Sequence, residues 1–278
     1  VPRFRLLIEY AGTRYSGWQI QKNARTIQGE LDRAIRAVTG RRDFELYGSG
    51  RTDAGVHAIG QVAHLDVSTN LPPASLRRAV NDELPADINL LAVATVPRRF
   101  HARHGAVARR YVYQVARRRT AFAKPYVWWV KEPLDVAAMQ AAGQAFVGMK
   151  DFQSFAETDD DSEDGRSTLV LVDRLDVVEA GDLLLVVIQG SHFLWKMVRR
   201  IVGVLVAVGR GDLSAARAAA LLTTKSDLPP QLTAPAAGLF LERVFYAGEA
   251  IDPTVTAPTP LAARETETPR RADQTRRT

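Results

Sequence analysis

The sequence contains no cysteine. Disulfide scaffolds, cysteine-ligated zinc, iron–sulfur clusters and thiol catalysis are therefore excluded. Lysine is scarce too, since 31 of the 37 basic residues are arginine. Arginine's planar fork suits bidentate contacts to phosphate and base edges better than an ammonium does. Long apolar runs are also missing. The longest, Ile201 to Val208, contains a glycine and stops at Gly209-Arg210-Gly211-Asp212, far short of the roughly 20 residues that span a bilayer. The opening VPRFRLLIEY alternates like a strand and has no apolar signal core. These absences predict a cytoplasmic protein without a membrane partner. What is present, 278 residues at 46% hydrophobic and 24% charged, suffices for one large domain or two ordinary ones.

The net charge of +6 is unevenly spread. Residues 248–278 carry five arginines and five acids among Thr, Pro and Ala, which predicts a disordered tail. Glu157 to Asp164 places six acids in eight residues, so the rest of the body stands at +12. Pro97 to Arg119 holds eight arginines and two histidines with no acid, interleaved with Phe100, Tyr111 and Tyr113. A solvated strand face would have that composition. So would an RNA surface that pairs phosphate contact with base stacking. Charge alone leaves both readings open.

Periodicity predicts a mixed chain. Arg3–Tyr10 alternates as a half-buried strand, and Thr26 caps a helix that Gly40 stops. Phe44–Tyr47, Gly60–Val67, Ile88–Val96, Val107–Val115 and Leu239–Tyr246 read as strands. A short helix begins at Ser75, an Ala-rich one spans Leu134–Val147, a strongly apolar one Leu194–Val208, and a last one Ser214–Leu222. Thr168–Val178 and Asp182–Ile188 form a hairpin. The fold class expected is α+β with a largely antiparallel sheet. On the Val107–Val115 strand, Arg109, Tyr111 and Tyr113 share one face and Arg110 takes the other.

The most informative segment is Gly48-Ser49-Gly50-Arg51-Thr52-Asp53-Ala54-Gly55-Val56-His57-Ala58. Three glycines in eight residues allow a tight turn and close approach to a ligand. Neither a Walker loop nor a dinucleotide fingerprint is spelled. Asp53 lies two residues from Arg51, and a neighbouring cation keeps a carboxylate ionised for work as nucleophile or base. An Asx-turn with a surface ion pair would also account for the pattern.

GSGRTDAGVHA closely resembles the catalytic loop of the tRNA pseudouridine synthase A family. Ser16-Gly17-Trp18-Gln19, Thr26-Ile27-Gln28-Gly29-Glu30-Leu31, Gln61-Val62-Ala63-His64-Leu65 and Arg110-Tyr111-Val112-Tyr113 are similar to further family segments. So are Asp151-Phe152-Gln153-Ser154-Phe155, Phe193 to Gly203 and Gly238-Leu239-Phe240-Leu241, in order over about residues 3–246. The resemblance implies isomerisation of uridine to pseudouridine at positions 38, 39 and 40 in the anticodon arm of tRNA. It implies two similar α/β halves around a central mixed sheet, here 1–106 and 107–247. It implies a homodimer needing no metal or organic cofactor. By motif match Asp53 is the catalytic carboxylate and Arg51 the arginine that orients it. Tyr111 stacks on the target base, Arg199 pairs with the aspartate, and Leu239 walls the pocket. Arg109 and Arg110 are expected to contact substrate.

Other residues receive blander readings. Trp195 and Met197 are expected in the core, and Gly143 and Gly203 at close helix contacts. Arg98, Arg99, Arg103 and Arg117–Arg119 are expected to form a diffuse phosphate-binding surface. The acidic stretch 157–164 should point away from RNA, and the tail should be dispensable. The rival class is an RNA-binding module on the same fold, which has no need of Arg51, Asp53 and Tyr111 together.

Overall fold

Alternating apolar side chains create β1 (Arg3–Tyr10), where Phe4, Leu6, Ile8 and Tyr10 are all buried. α1 (Ile27–Thr39) starts where the Thr26 hydroxyl accepts the Gly29 N–H at 3.2 Å. It stops at Gly40, whose φ of 66° suits a residue without Cβ. The remaining elements are β2 (Glu45–Gly48), β3 (His57–Asp66), α2 (Pro73–Glu83), β4 (Ile88–Val96), β5 (Ala106–Ala116) and β6 (Trp128–Trp129). They continue with α3 (Val136–Gly143), β7 (Gly148–Asp151), β8 (Leu169–Ala180), β9 (Leu183–Gly190), α4 (Met197–Gly209), α5 (Ala215–Ala220), α6 (Leu228–Gln231) and β10 (Leu239–Tyr246). This computed structural model describes residues 1–157 and 167–261.

One mixed sheet runs in the order β4-β1-β3-β10-β5-β9-β8-β7, with β2 also paired to β3 and β6 to β5. Its pairings are antiparallel except β3 with β10 and β5 with β6. The parallel β3–β10 contact joins two helix-covered regions. α1 and α2 pack on the β1–β3–β4 side around Leu31, Ile35, Leu76 and Val80. α3, α4 and α5 cover β5, β8 and β9 around Met139, Ile201, Leu205 and Ala218.

α4 is the most enclosed helix: every residue in it is buried except Arg199. Gly203 lets the chain after α6 cross it, because a Cβ there would lie 1.6 Å from the Leu232 carbonyl oxygen. The helix begins later than its apolar pattern predicts. Lys196 has φ 60°, which ends any helix from Leu194, and Trp195 is 47% exposed, not in the core. α3 is likewise shorter than Leu134–Val147, its last turn tightening to a 3₁₀ turn at Gln144–Phe146.

Residues 248–261 differ most from expectation. Far from a disordered tail, they cross the sheet face opposite α3 and α4. There Val255, Ala257 and Leu261 pack with Val112, Ala116, Leu183, Leu185 and Val187. Arg110 donates to the Asp252 carbonyl at 2.5 Å and Arg174 to the Pro253 carbonyl at 2.7 Å. Gln114 and Thr259 exchange two hydrogen bonds. The tail beyond 261 and the acidic residues 158–164 lie outside the described residues. Among the described residues no helix is long and apolar enough to cross a membrane.

Candidate active site

The glycine-rich loop lies between β2 and β3, and backbone groups from the preceding loop fix it. The Trp18 N–H donates to the Thr52 carbonyl at 3.0 Å, and the Gly55 N–H to the Tyr15 carbonyl at 3.2 Å. Gly17 makes that approach possible: its φ is 92°, and a Cβ would sit 2.6 Å from the Thr52 oxygen. Beneath the loop a buried network satisfies its polar groups. Tyr10 and Thr52 share a hydroxyl–hydroxyl bond of 2.8 Å, Ser49 donates to Gln61 Oε1 at 2.7 Å, and Gln61 donates to the Gly50 carbonyl at 3.1 Å. Burial pushes the Tyr10 hydroxyl up to about 12, so it stays a neutral partner. The loop is thus held by its own backbone and by buried side chains, as a site acting on a reactive geometry requires.

The central strand pairing brings the rest of the site to Asp53. Because β3 and β10 are parallel, with Phe240 opposite His57, their starting ends lie side by side. Leu239, the first residue of β10, therefore sits beside the turn that carries Asp53. β5 runs antiparallel on the other side of β10, with Tyr113 opposite Leu239 and Tyr111 opposite Leu241. Tyr113 is core, its hydroxyl donating to the Pro235 carbonyl at 2.8 Å. Tyr111 is half-buried, and Phe193 meets its ring edge-on at 5.3 Å and 90°. Burial, reinforced by the charge of Asp53, raises the Tyr111 hydroxyl above its ordinary range. Its hydroxyl is therefore neutral at physiological pH.

Arg199 completes the constellation from α4. Its Nη1 donates to Asp53 Oδ2 at 3.2 Å and its Nε to the Ala234 carbonyl at 2.8 Å. The Ala234 N–H returns a bond to the Arg199 carbonyl at 3.1 Å. The guanidinium is thereby anchored at one end and aimed at the carboxylate with the other. Both side chains are mostly shielded, at 16% and 20% exposure. Shielding strengthens their attraction over that of a surface pair.

Three of the arginines expected at the site take different places. Among the described residues Arg51 is exposed and makes no hydrogen bond or ion pair with Asp53; the arginine that meets the carboxylate is Arg199. Thr52 alone separates Arg51 from Asp53 in sequence, yet the two side chains do not meet. Arg109 lies on the Tyr111 face, but its guanidinium serves the backbone. It donates to the carbonyls of Ser191, Arg103, Ser49 and Ala106 at 2.7, 2.8, 3.2 and 3.3 Å. Burial holds its pKa below the usual arginine range. Arg110 is placed away from Asp53 and Tyr111, contrary to expectation. It is 1% exposed, on the opposite face, and paired to Glu242 at 2.6 Å.

Histidine has a structural part in this region. His57 Nδ1 accepts the Gly12 N–H at 3.0 Å, Nε2 faces the Pro125 carbonyl at 3.1 Å, and the ring stacks on Phe240 at 4.7 Å. Burial depresses its pKa to about 4, so it is neutral. Among the described residues no three His, Asp or Glu side chains gather as metal ligands would. Sequence reasoning passed over Phe193 and the Tyr10–Thr52–Gln61 network. Phe193 lay within a quoted motif, but nothing local says its ring reaches Tyr111, some 80 residues earlier in the chain.

The mixed sheet thus carries an arginine-paired aspartate and a half-buried tyrosine close by. The family model described as tRNA pseudouridine synthase matches residues 6–104 and 142–247. This chain belongs to the tRNA pseudouridine synthase family. Tyr111 and β5 fall between the two matched segments. Its curated relatives include the tRNA pseudouridine synthase A of Rhodopseudomonas palustris strain BisA53, 43% identical over 249 residues, covering 88% of this chain and 100% of that protein. The protein of the same name from strain BisB18 is 41% identical over the same shares. That of Halalkalibacterium halodurans is 40% identical over 245 residues, covering 87% of this chain and 92% of its own.

Proposed function

We propose that this chain isomerises uridine to pseudouridine at positions 38, 39 and 40 in the anticodon arm of tRNA, acting as a cytoplasmic homodimer. The carrying observation is Asp53, a single carboxylate clamped by Arg199 at 3.2 Å beside the Tyr111 ring. The reaction breaks N1–C1′, turns the uracil, bonds C5 to C1′ and finally removes the C5 proton. Glycoside cleavage ordinarily takes two carboxylates, one as acid and one as nucleophile or base. One is enough for this reaction, because uracil departs as a resonance-stabilised anion that needs no protonation to leave. The Asp53 carboxylate either attacks C1′, giving an ester that C5 then displaces, or takes the C2′ proton to give a glycal and returns it to C2′ as C5 bonds to C1′. In both routes N1 ends protonated and the C5 proton passes to solvent.

The other residues serve the same chemistry. Taking the nucleotide out of its stack costs a few kcal/mol. Stacking on Tyr111, roughly 1–3 kcal/mol per base, offsets much of that. Phe193 fixes the tyrosine ring, and Leu239 keeps water from the anion. Arg51, exposed beside the site, is free to meet phosphate. The test uses tRNA labelled with tritium at uridine C5. Release of tritium, with pseudouridine mapped to positions 38–40, is the expected result. Tight tRNA binding without release would instead make the chain an RNA-binding module.

A further inference from the structure

The segment Gly190 to Lys196 leads from β9 into α4 and is flanked by site residues at both ends. Phe193 touches the Tyr111 ring, and Arg199, four residues after Trp195, reaches Asp53. Between them Trp195 projects into solvent at 47% exposure. The backbone around it is fixed. Its carbonyl accepts the Glu157 N–H at 3.2 Å, and the next residue, Lys196, adopts the left-handed conformation at φ 60°. A non-glycine residue there is uncommon, and it turns the chain sharply enough to aim the indole away from the α4 core. One face of the indole is covered: Lys196 Nζ lies 4.8 Å from the ring and is itself tied to Glu157 Oε1 at 3.1 Å. Half-exposure is what results when one face is covered and the other is open.

An open aromatic face beside a nucleotide-flipping site has a natural occupant. When a base leaves the stack its neighbour loses a stacking partner, and a fixed indole replaces that surface without regard to sequence. We propose that Trp195 is the stacking platform for the RNA base adjacent to the target uridine, with the Lys196 ammonium setting its orientation. Glu157 offsets the charge of Lys196, so the choice of an RNA base rests on position: Trp195 lies in the short segment between Phe193, which touches Tyr111, and Arg199, which touches Asp53. This inference rests on the isomerase reading for its choice of nucleotide and deepens it.

Tryptophan emission and kinetics on one anticodon stem-loop RNA test both and separate them. Binding should quench wild-type emission. Trp195→Ala should abolish most of the quench and raise KM about ten-fold or more, with KM rising further than kcat falls. Trp195→Phe, which keeps a ring, should restore most of the affinity. Trp129→Ala, which removes the other strongly exposed indole outside this segment, should keep both the quench and KM. Unchanged KM and quench in Trp195→Ala would overturn the platform. So would a change in sedimentation with KM unaltered, which would make Trp195 a protein contact. A wild type that releases no tritium would sink the isomerase reading instead, while the quench comparison would still decide whether Trp195 stacks on RNA.

Discussion

Arg109 and Arg110 are neighbours on β5, yet they belong to two different surfaces. Arg109 lies with Tyr111 on the face that carries the site, and it gathers four carbonyls from the Asp53 loop, the 103 turn and the segment after β9. Among the described residues no carboxylate pairs with it. Arg110 lies on the opposite face, locked to Glu242 and to the Asp252 carbonyl, under a strap of chain that packs on Val112, Leu185 and Val187. The rear face is covered by the strap. On the front face, the open groups are the half-buried Tyr111, the exposed Arg51 and the Asp53–Arg199 pair. Strand alternation alone sorts the two arginines into these different roles. The lesson is that a dense run of arginine says little about function until each one's face is known.

Breaking the rear face should cost stability without touching chemistry. Arg110→Met leaves Glu242 uncompensated beneath the strap, and unfolding should become easier by about 3–5 kcal/mol. The folded fraction should keep its kcat, measured by tritium release against urea-derived stability. The front face should behave in the opposite way. Arg199→Met should lower kcat by about 10²–10³-fold, with a smaller movement of the urea midpoint than Arg110→Met gives.

Acid provides a third probe, directed at the scaffold common to both faces. His57 and His64 on β3 are each held near a pKa of about 4 by burial, below the ordinary value of 6.5. The unfolded chain therefore binds more protons than the fold between those values. Stability should fall as pH drops from 6.5 to about 4, by up to about 3 kcal/mol per histidine, and level off below. Urea midpoints at a series of pH values read the slope, which should shrink in His57→Gln. Smallest of the four, deletion of residues 250–278 uncovers the rear apolar face and should lower stability by about 2 kcal/mol. A hydrophobic dye should then bind, and kcat should hold. Unchanged stability would return the strap to the status of a dispensable tail.

Much of this architecture was legible in the residues. Alternation in Arg3–Tyr10, the Thr26 cap and the Gly40 stop locate β1 and α1, and the glycine-rich loop singles out Asp53. Its partner was legible only through family resemblance, because Arg199 lies 146 residues away and local spacing favours Arg51. The short strands β6 and β7 carry too few residues to show alternation. The start of α4 was misplaced because a left-handed Lys196 leaves no mark in an apolar pattern. The strap escaped for a different reason. Two of its anchors are backbone carbonyls that accept from arginines of the sheet, and composition counts only side chains.

Single-turnover tritium release by Asp53→Asn, compared with wild type at matched tRNA occupancy, tests the central claim most directly. Asparagine keeps the shape of the site and removes the charge that Arg199 holds in place. The account predicts tRNA binding close to wild type with release reduced by about 10²–10⁴-fold or more. Release at the wild-type rate would show that the clamped carboxylate is not the reacting group.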